Sequence, residues 1–163
     1  DRVQGVIADS LEAAQAYEAE QVRALSEDIE TLSLDLESYK RFSGAAGQQL
    51  RRRLSETQQN IQRGLKEAYI INGSGELYLR GNRSYFFDYE QPSPMEIESA
   101  LKDIVIIPDF KNNELRALTY LDGFGDRYLL VSRSIDGKLF ALLDEHKKQE
   151  SFINSWSRNE VLL

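Results

Sequence analysis

The first 42 residues contain no proline and one glycine, Gly5. Proline inside a helix removes a hydrogen bond and clashes with the preceding turn, and glycine is the next worst helix former. Little in this stretch therefore opposes a helix. From Val22 the apolar positions run Val22, Leu25, Ile29, Leu32, Leu36 and Tyr39, with spacings that alternate three and four. That is a coiled-coil-like seam. Val3, Ile7, Leu11 and Ala14 continue the stripe upstream, with a register shift near Tyr17. The pattern predicts one helix of roughly 35 to 40 residues, about 55 Å long at 1.5 Å per residue. A domain of this size rarely buries such a helix along its whole length, so part of it is expected to project or to pair with a copy of itself. Val22, Leu25, Ile29, Leu32 and Leu36 are the candidate homodimer interface. The competing reading is an internal stripe packed against the rest of the chain.

Ser43-Gly44-Ala45-Ala46-Gly47 breaks the helix. A second helix is expected from about Gln48 to Lys66, with Leu50, Leu54, Ile61 and Leu65 on its apolar face. The two helices carry complementary charge. Residues 1–40 hold ten acids and three bases, and residues 41–67 hold six bases and two acids. An antiparallel fold-back brings these together. Each exposed pair contributes only about 0 to 1 kcal/mol, so the imbalance bears on orientation more than on stability.

From Ala68 the period changes. Ala68 to Ile71 and Leu77 to Arg80 read as strands joined at Asn72-Gly73-Ser74-Gly75, residue types that tolerate positive φ. An aromatic stretch follows, Tyr85-Phe86-Phe87-Asp88-Tyr89. Ser93-Pro94-Met95-Glu96 is a capping box with proline at the first helical position, and starts a short helix to about Lys102. Strands are expected at Asp103 to Ile107, Leu115 to Leu121 and Tyr128 to Ile135, separated by turns at Pro108–Asn113 and Asp122–Asp126. A last helix runs from about Gly137 to Trp156, with Leu139, Phe140, Leu143 and Phe152 facing inward. The fold class is α+β. A helical stalk and second helix (1–67) are expected to precede a PAS-like sheet of five antiparallel strands (68–136), of the PDC or single-Cache kind, and a C-terminal helix (137–163) is expected to lead toward a second membrane span.

Composition removes several function classes. The net charge of −7 leaves no electrostatic footprint for nucleic acid. Zero cysteines exclude disulfides and thiolate metal sites. The longest apolar runs, such as Ile104 to Ile107, fall far short of the roughly 20 residues of a membrane span. No signal peptide is visible, and the sequence starts within a helix, as a fragment excised between two membrane spans would.

At Arg2 to Leu11 with Ala16-Tyr17, at Glu67 to Ile71 with Gly73 and Gly75, at Arg116 to Asp122, and at Tyr128 to Arg133 with Ile135-Asp136, the chain resembles the periplasmic region of NtrY-type sensor histidine kinases, the membrane sensors of nitrogen-regulation two-component systems. The resemblance covers nearly the whole chain, and the last two strands are its most specific part. It implies the periplasmic, signal-sensing portion of a bacterial inner-membrane protein. That portion is a homodimer in the full-length kinase and passes a ligand or conformational signal through the membrane. The family's kinase machinery is absent from these residues, which lack a glycine-rich ATP lid.

The motifs of catalysis are mostly missing. The only histidine, His146, lies in Asp144-Glu145-His146-Lys147-Lys148 and reads as a solvated surface residue, not a phosphoacceptor. Asp88 and Glu90 form a nominal carboxylate pair that reads as loop residues. Gly123-Phe124-Gly125 falls in a strand–strand turn and opens no helix, so it does not read as a phosphate loop. The expectation is a non-enzyme with no cofactor and no metal. Binding residues are better supplied. In PAS-like sensors the ligand lies between the sheet and the crossover segment. Here that space is expected to draw on Arg80, Tyr85, Tyr89, Arg116, Tyr120, Asp122, Tyr128 and Arg133. Arginine is a bidentate partner for carboxylate, so the expected ligand is a small molecule bearing one, with Arg116 the first choice and Arg133 the second. Alternation places Arg116, Leu118, Tyr120 and Asp122 on one face. The opposite set of Leu115, Ala117, Thr119 and Leu121 is more apolar and competes for the buried side. The alternative functions are a ligand-free dimerisation or structural module, and the input domain of a chemoreceptor or other transmembrane receptor.

Overall fold

The computed structural model describes residues 2–44, 46–61 and 64–162, with side chains over 9–44, 46–61 and 64–156. Helix α1 spans Arg2–Ser43 as one element. Val3 and Ile7, the upstream part of the stripe, have side chains outside the described residues. Helix α2 spans Gln48–Asn60. It folds back on α1, as the charge pattern implied: Arg53 forks onto Asp35 at 2.7 and 2.9 Å, and Thr57 donates to the same carboxylate at 2.9 Å.

The second helix is shorter than its apolar spacing suggested. Ile61 is already extended (ψ 118°), and Gly64 takes a φ of 71° that a helix cannot use. Residues 62 and 63 of the expected helix lie outside the described residues. Gln58 stabilises this early end. Its amide nitrogen donates to the carbonyls of Leu65 and Asn82, and its oxygen accepts the Asn82 N–H. Leu65 is buried in the core from the loop, not from a helical face.

The sheet comprises β1 (Glu67–Ile71), β2 (Leu77–Arg80), β3 (Val105–Asp109), β4 (Glu114–Tyr120) and β5 (Tyr128–Ser134), in the spatial order β2-β1-β5-β4-β3, all pairs antiparallel. This is the PAS-like arrangement. The β1–β2 turn closes through Asn72, whose side chain accepts the N–H groups of Ser74 and Glu76, with Gly75 at φ 83°. Ile71 pairs with Leu77 and Ile70 with Leu79, so Tyr78 bulges out. β3 runs on through Pro108 to Asp109, where a turn was expected. It is an edge strand, the one place where a sheet tolerates a residue without an N–H. A single 3₁₀ turn (Phe86–Asp88) and helix α3 (Pro94–Ala100) form the crossover, and α3 carries the full capping box between Ser93 and Glu96. Helix α4 spans Gly137–Leu162, and the Asp136 carboxylate accepts the N–H groups of Lys138 and Leu139 at its start.

Both faces of the sheet are covered, which resolves the competition along β4. Leu115, Ala117, Leu121, Leu129, Val131, Ala68 and Ile70 pack under α1, α2 and α4. Tyr69, Ile71, Leu118, Tyr128 and Leu130 pack under α3 through Ile97 and Ala100. Helices and sheet thus share one core across the boundary expected at residue 67. The seam residues are part of that core. Leu25, Ile29, Leu32 and Leu36 are fully buried within the chain, and Val22 packs at their edge. In this fold they face the sheet and offer no surface to a copy. Phe152, expected inward, is 64% exposed on the part of α4 beyond the sheet. Among the described residues, no helix is long and apolar enough to cross a membrane.

Candidate functional site

At one end of the crossover face the apolar pattern fails in three adjacent strands at once. Glu67 of β1 pairs in register with Ser132 of β5, and Ser132 with Arg116 of β4. All three are more than nine-tenths buried, as is Glu114 two positions before Arg116. Strand residues two apart share a face, so these polar groups gather where Leu118, Leu130 and Ile71 would otherwise continue the core. Between them and the crossover lies a cavity of about 280 Å³, near the ~300 Å³ lower bound of small-molecule sites. Lys66, Glu67, Tyr69, Glu114, Arg116, Leu130, Val131 and Ser132 form its floor. Phe87, Asp88 and Glu90 of the crossover, with Asp109 and Asn112 of the β3–β4 turn, form its rim.

Most of the floor is internally satisfied. The Glu67 carboxylate accepts from the Tyr69 hydroxyl at 2.5 Å and from Ser132 at 3.1 Å. Lys66 pairs with Glu114, and that hydrogen bond holds the ammonium pKa above its usual value. Burial first, and the Glu67 carboxylate second, push the Tyr69 phenol well above its ordinary range, so it stays a donor. Arg116 differs. One nitrogen of its guanidinium donates to the Glu90 carbonyl, and among the described residues no carboxylate pairs with it. A guanidinium this buried without a counter-ion is a costly arrangement.

The crossover is held over the cavity by main-chain and aromatic contacts. The Tyr69 hydroxyl, whose one proton is shared with Glu67, also lies 3.0 Å from the Tyr85 carbonyl, and its ring lies 5.3 Å from that of Tyr89. The Tyr89 hydroxyl donates to the Gly75 carbonyl in the β1–β2 turn. Tyr85 stacks on Phe87 at 5.4 Å, and both rings are largely exposed.

Of the eight residues expected to line a site, the cavity brings in Arg116 directly, while Tyr85 and Tyr89 support its roof. The other five lie elsewhere. Arg133 points to the helix side, as its odd position relative to Ser132 requires, and pairs with Asp28 of α1. Tyr120 and Tyr128 share the face of Arg116 but sit at the far end of their strands, in an edge-on pair 5.3 Å apart. Asp122 uses its main-chain N–H to bind Glu37 at 2.9 Å, and with Tyr120 it lines a separate groove beside α1. Arg80 ends β2 opposite Tyr69, and its carbonyl accepts from Arg51. Asp88 and Glu90, read as ordinary loop residues, are rim residues of the cavity. Glu67, Glu114 and Ser132 escaped the sequence reading. The available signal was polar residues recurring two apart in strands that are otherwise apolar.

His146 bonds Glu150 on the surface of α4 at 3.0 Å, and Gly123 and Gly125 adopt positive φ in the β4–β5 turn. Among the described residues, no group of histidine and acidic side chains is arranged to hold a metal ion. Comparison with family models, with curated proteins and with solved structures finds no match for this chain.

Proposed function

We propose that this chain is the extracytoplasmic sensing domain of a membrane histidine kinase of the NtrY type, and that it binds a small carboxylate-bearing molecule beneath the crossover. The observation that carries this reading is the buried Arg116 guanidinium, which faces a cavity of about 280 Å³ and lacks a carboxylate partner among the described residues. A sheet that needed the position only for packing is better served by an apolar side chain, as buried charge rarely stabilises a core. The PAS-like strand order places the cavity between sheet and crossover, and loops over a rigid sheet are where recognition residues collect. Long helices at both ends of the sheet give a bound ligand mechanical routes outward, and α1 touches β4 and β5 directly. In this reading the chain itself is no enzyme, and it lies in the periplasm between two membrane spans.

The test is a thermal-shift and calorimetric screen of organic acids, amines, amino acids, sugars and nucleosides against the wild type and Arg116→Ala. A carboxylate-bearing compound binds, and Arg116→Ala weakens it by about one to two orders of magnitude, the worth of a charged hydrogen bond. Binding indifferent to Arg116, or no binding by any class, overturns the reading. In the full-length protein reconstituted in lipid, the same compound changes autophosphorylation. A compound that binds without doing so ends the kinase assignment.

A further inference from the structure

The rim of the cavity has the opposite sign to Arg116. Asp88 and Glu90 project from the crossover, and among the described residues Asp88 accepts no hydrogen bond, while Glu90 receives one long contact of 3.4 Å from Asn112. Lys66 and Glu114 neutralise each other, whereas Glu67, bound only by the neutral Tyr69 and Ser132 hydroxyls, keeps its negative charge, and Asp109 adds another carboxylate to the rim, so the lining around Arg116 is acidic overall. A simple anion that satisfies Arg116 thus meets an excess of carboxylate at the mouth. A simple cation satisfies the mouth and leaves Arg116 unpaired. The exposed ring of Phe87, stacked on Tyr85, adds a π face beside the two crossover acids, which attracts an ammonium group further.

From this polarity we infer that the ligand is an amino-carboxylate: its carboxylate meets Arg116 at the floor and its ammonium meets Asp88 and Glu90 at the rim. The inference rests on the reading of the cavity as a ligand site and adds the second pole. The two poles also divide the work between the rigid and the movable parts of the site. Arg116 is fixed in an interior strand, whereas Asp88 and Glu90 belong to the crossover, so a ligand that bridges them adds a second tie between crossover and sheet beside the Arg116 bond to the Glu90 carbonyl. A carboxylate without an amine binds the sheet alone.

The probes are the twenty standard amino acids, β-alanine and 4-aminobutyrate, each compared by calorimetry with its deaminated acid and its decarboxylated amine. At least one amino acid binds, and its acid and its amine bind about tenfold or more weakly, as the loss of one charged contact requires. The double variant Asp88→Asn/Glu90→Gln removes the advantage of the amino acid over its acid, and the acid itself binds at least as tightly as to the wild type. Both positions are exposed loop residues, so the fold is retained. Arg116→Gln weakens amino acid and acid alike. An acid that binds as tightly as its amino acid refutes the second pole and leaves the site standing. An amine that binds as tightly, indifferent to Arg116→Gln, refutes the pairing of poles. Failure of every probe in all three sets removes the inference and the carboxylate site with it.

Discussion

Arg133 of β5 reaches the carboxylate of Asp28 on α1, with side chains 6% and 24% exposed. Its Nε also donates to the Gly64 carbonyl at 3.1 Å, and its remaining nitrogen, Nη1, is buried without a partner. The neighbouring residue, Ser132, points to the opposite face and binds Glu67 in the cavity floor. Adjacent residues of one strand thus connect the cavity to the long helix. Removal of one partner from a buried pair is costly because the other stays charged and unpaired. Asp28→Ala should lower stability by about 3 kcal/mol, read from the midpoint of urea unfolding. The double variant Asp28→Ala/Arg133→Met should recover most of the loss.

Gln58 is 4% exposed and makes three hydrogen bonds to main-chain groups of the α2–β1 and β2–crossover segments. Gln58→Leu keeps the size and removes all three. A loss of about 2 kcal/mol is expected from groups left unsatisfied, together with faster hydrogen exchange at the Asn82 amide. Unchanged exchange there would show that the amide is not what closes this junction.

The helical half of the fold was legible because helix and strand write different periods, and the change at Ala68 is abrupt. The destination of the seam was not legible. A 3–4 stripe at Val22 to Leu36 is the same pattern whether it meets a copy or a sheet. Only the tertiary structure shows Leu25, Ile29, Leu32 and Leu36 closed within the chain. The site was half legible for a related reason. Alternation put Arg116 with Tyr120, but alternation is silent about position along a strand, and the two lie at opposite ends of β4. Arg133 failed by parity, since it follows Ser132 and so faces the helices.

Two acids near the α1–α2 turn should give opposite pH slopes. The Arg53 hydrogen bonds hold the Asp35 pKa below its ordinary 3.8, partly offset by burial. Its stabilising effect is therefore full above that value and is lost as pH falls from it through the lowered folded value. Burial raises the Glu37 pKa above 4.5, against the Asp122 N–H. The folded state then holds its proton more firmly than the unfolded state does, so stability declines as pH rises from 4.5 through the raised value. Urea midpoints between pH 3 and 6 should fall less on acidification in Asp35→Asn than in the wild type. Glu37→Gln should fall more.

Tyr89 ties the crossover to the β1–β2 turn through the Gly75 carbonyl. Tyr89→Phe keeps the ring on Tyr69 and removes that tie, for about 1 kcal/mol. Gly75→Ala should cost about 1 to 2 kcal/mol from the left-handed φ of 83°, and its Cβ would also fall 2.5 Å from the Gln91 side chain, which must move aside. Both variants should loosen the crossover, and amide exchange at Asp88 and Tyr89 should quicken. Exchange confined to the turn would mean that the crossover is held by its own packing.

The proposed ligand site is the space under the crossover. The most direct measurement is an ¹⁵N-resolved NMR titration of the chain with the compound that emerges from the screen. Shifts are expected to cluster at the amides of Glu67, Tyr69, Asp88, Glu90, Arg116 and Ser132, and in Arg116→Ala to need about one to two orders of magnitude more ligand. Shifts confined to the groove of Tyr120 and Asp122, or to the exposed end of α4 around Phe152, would contradict this site.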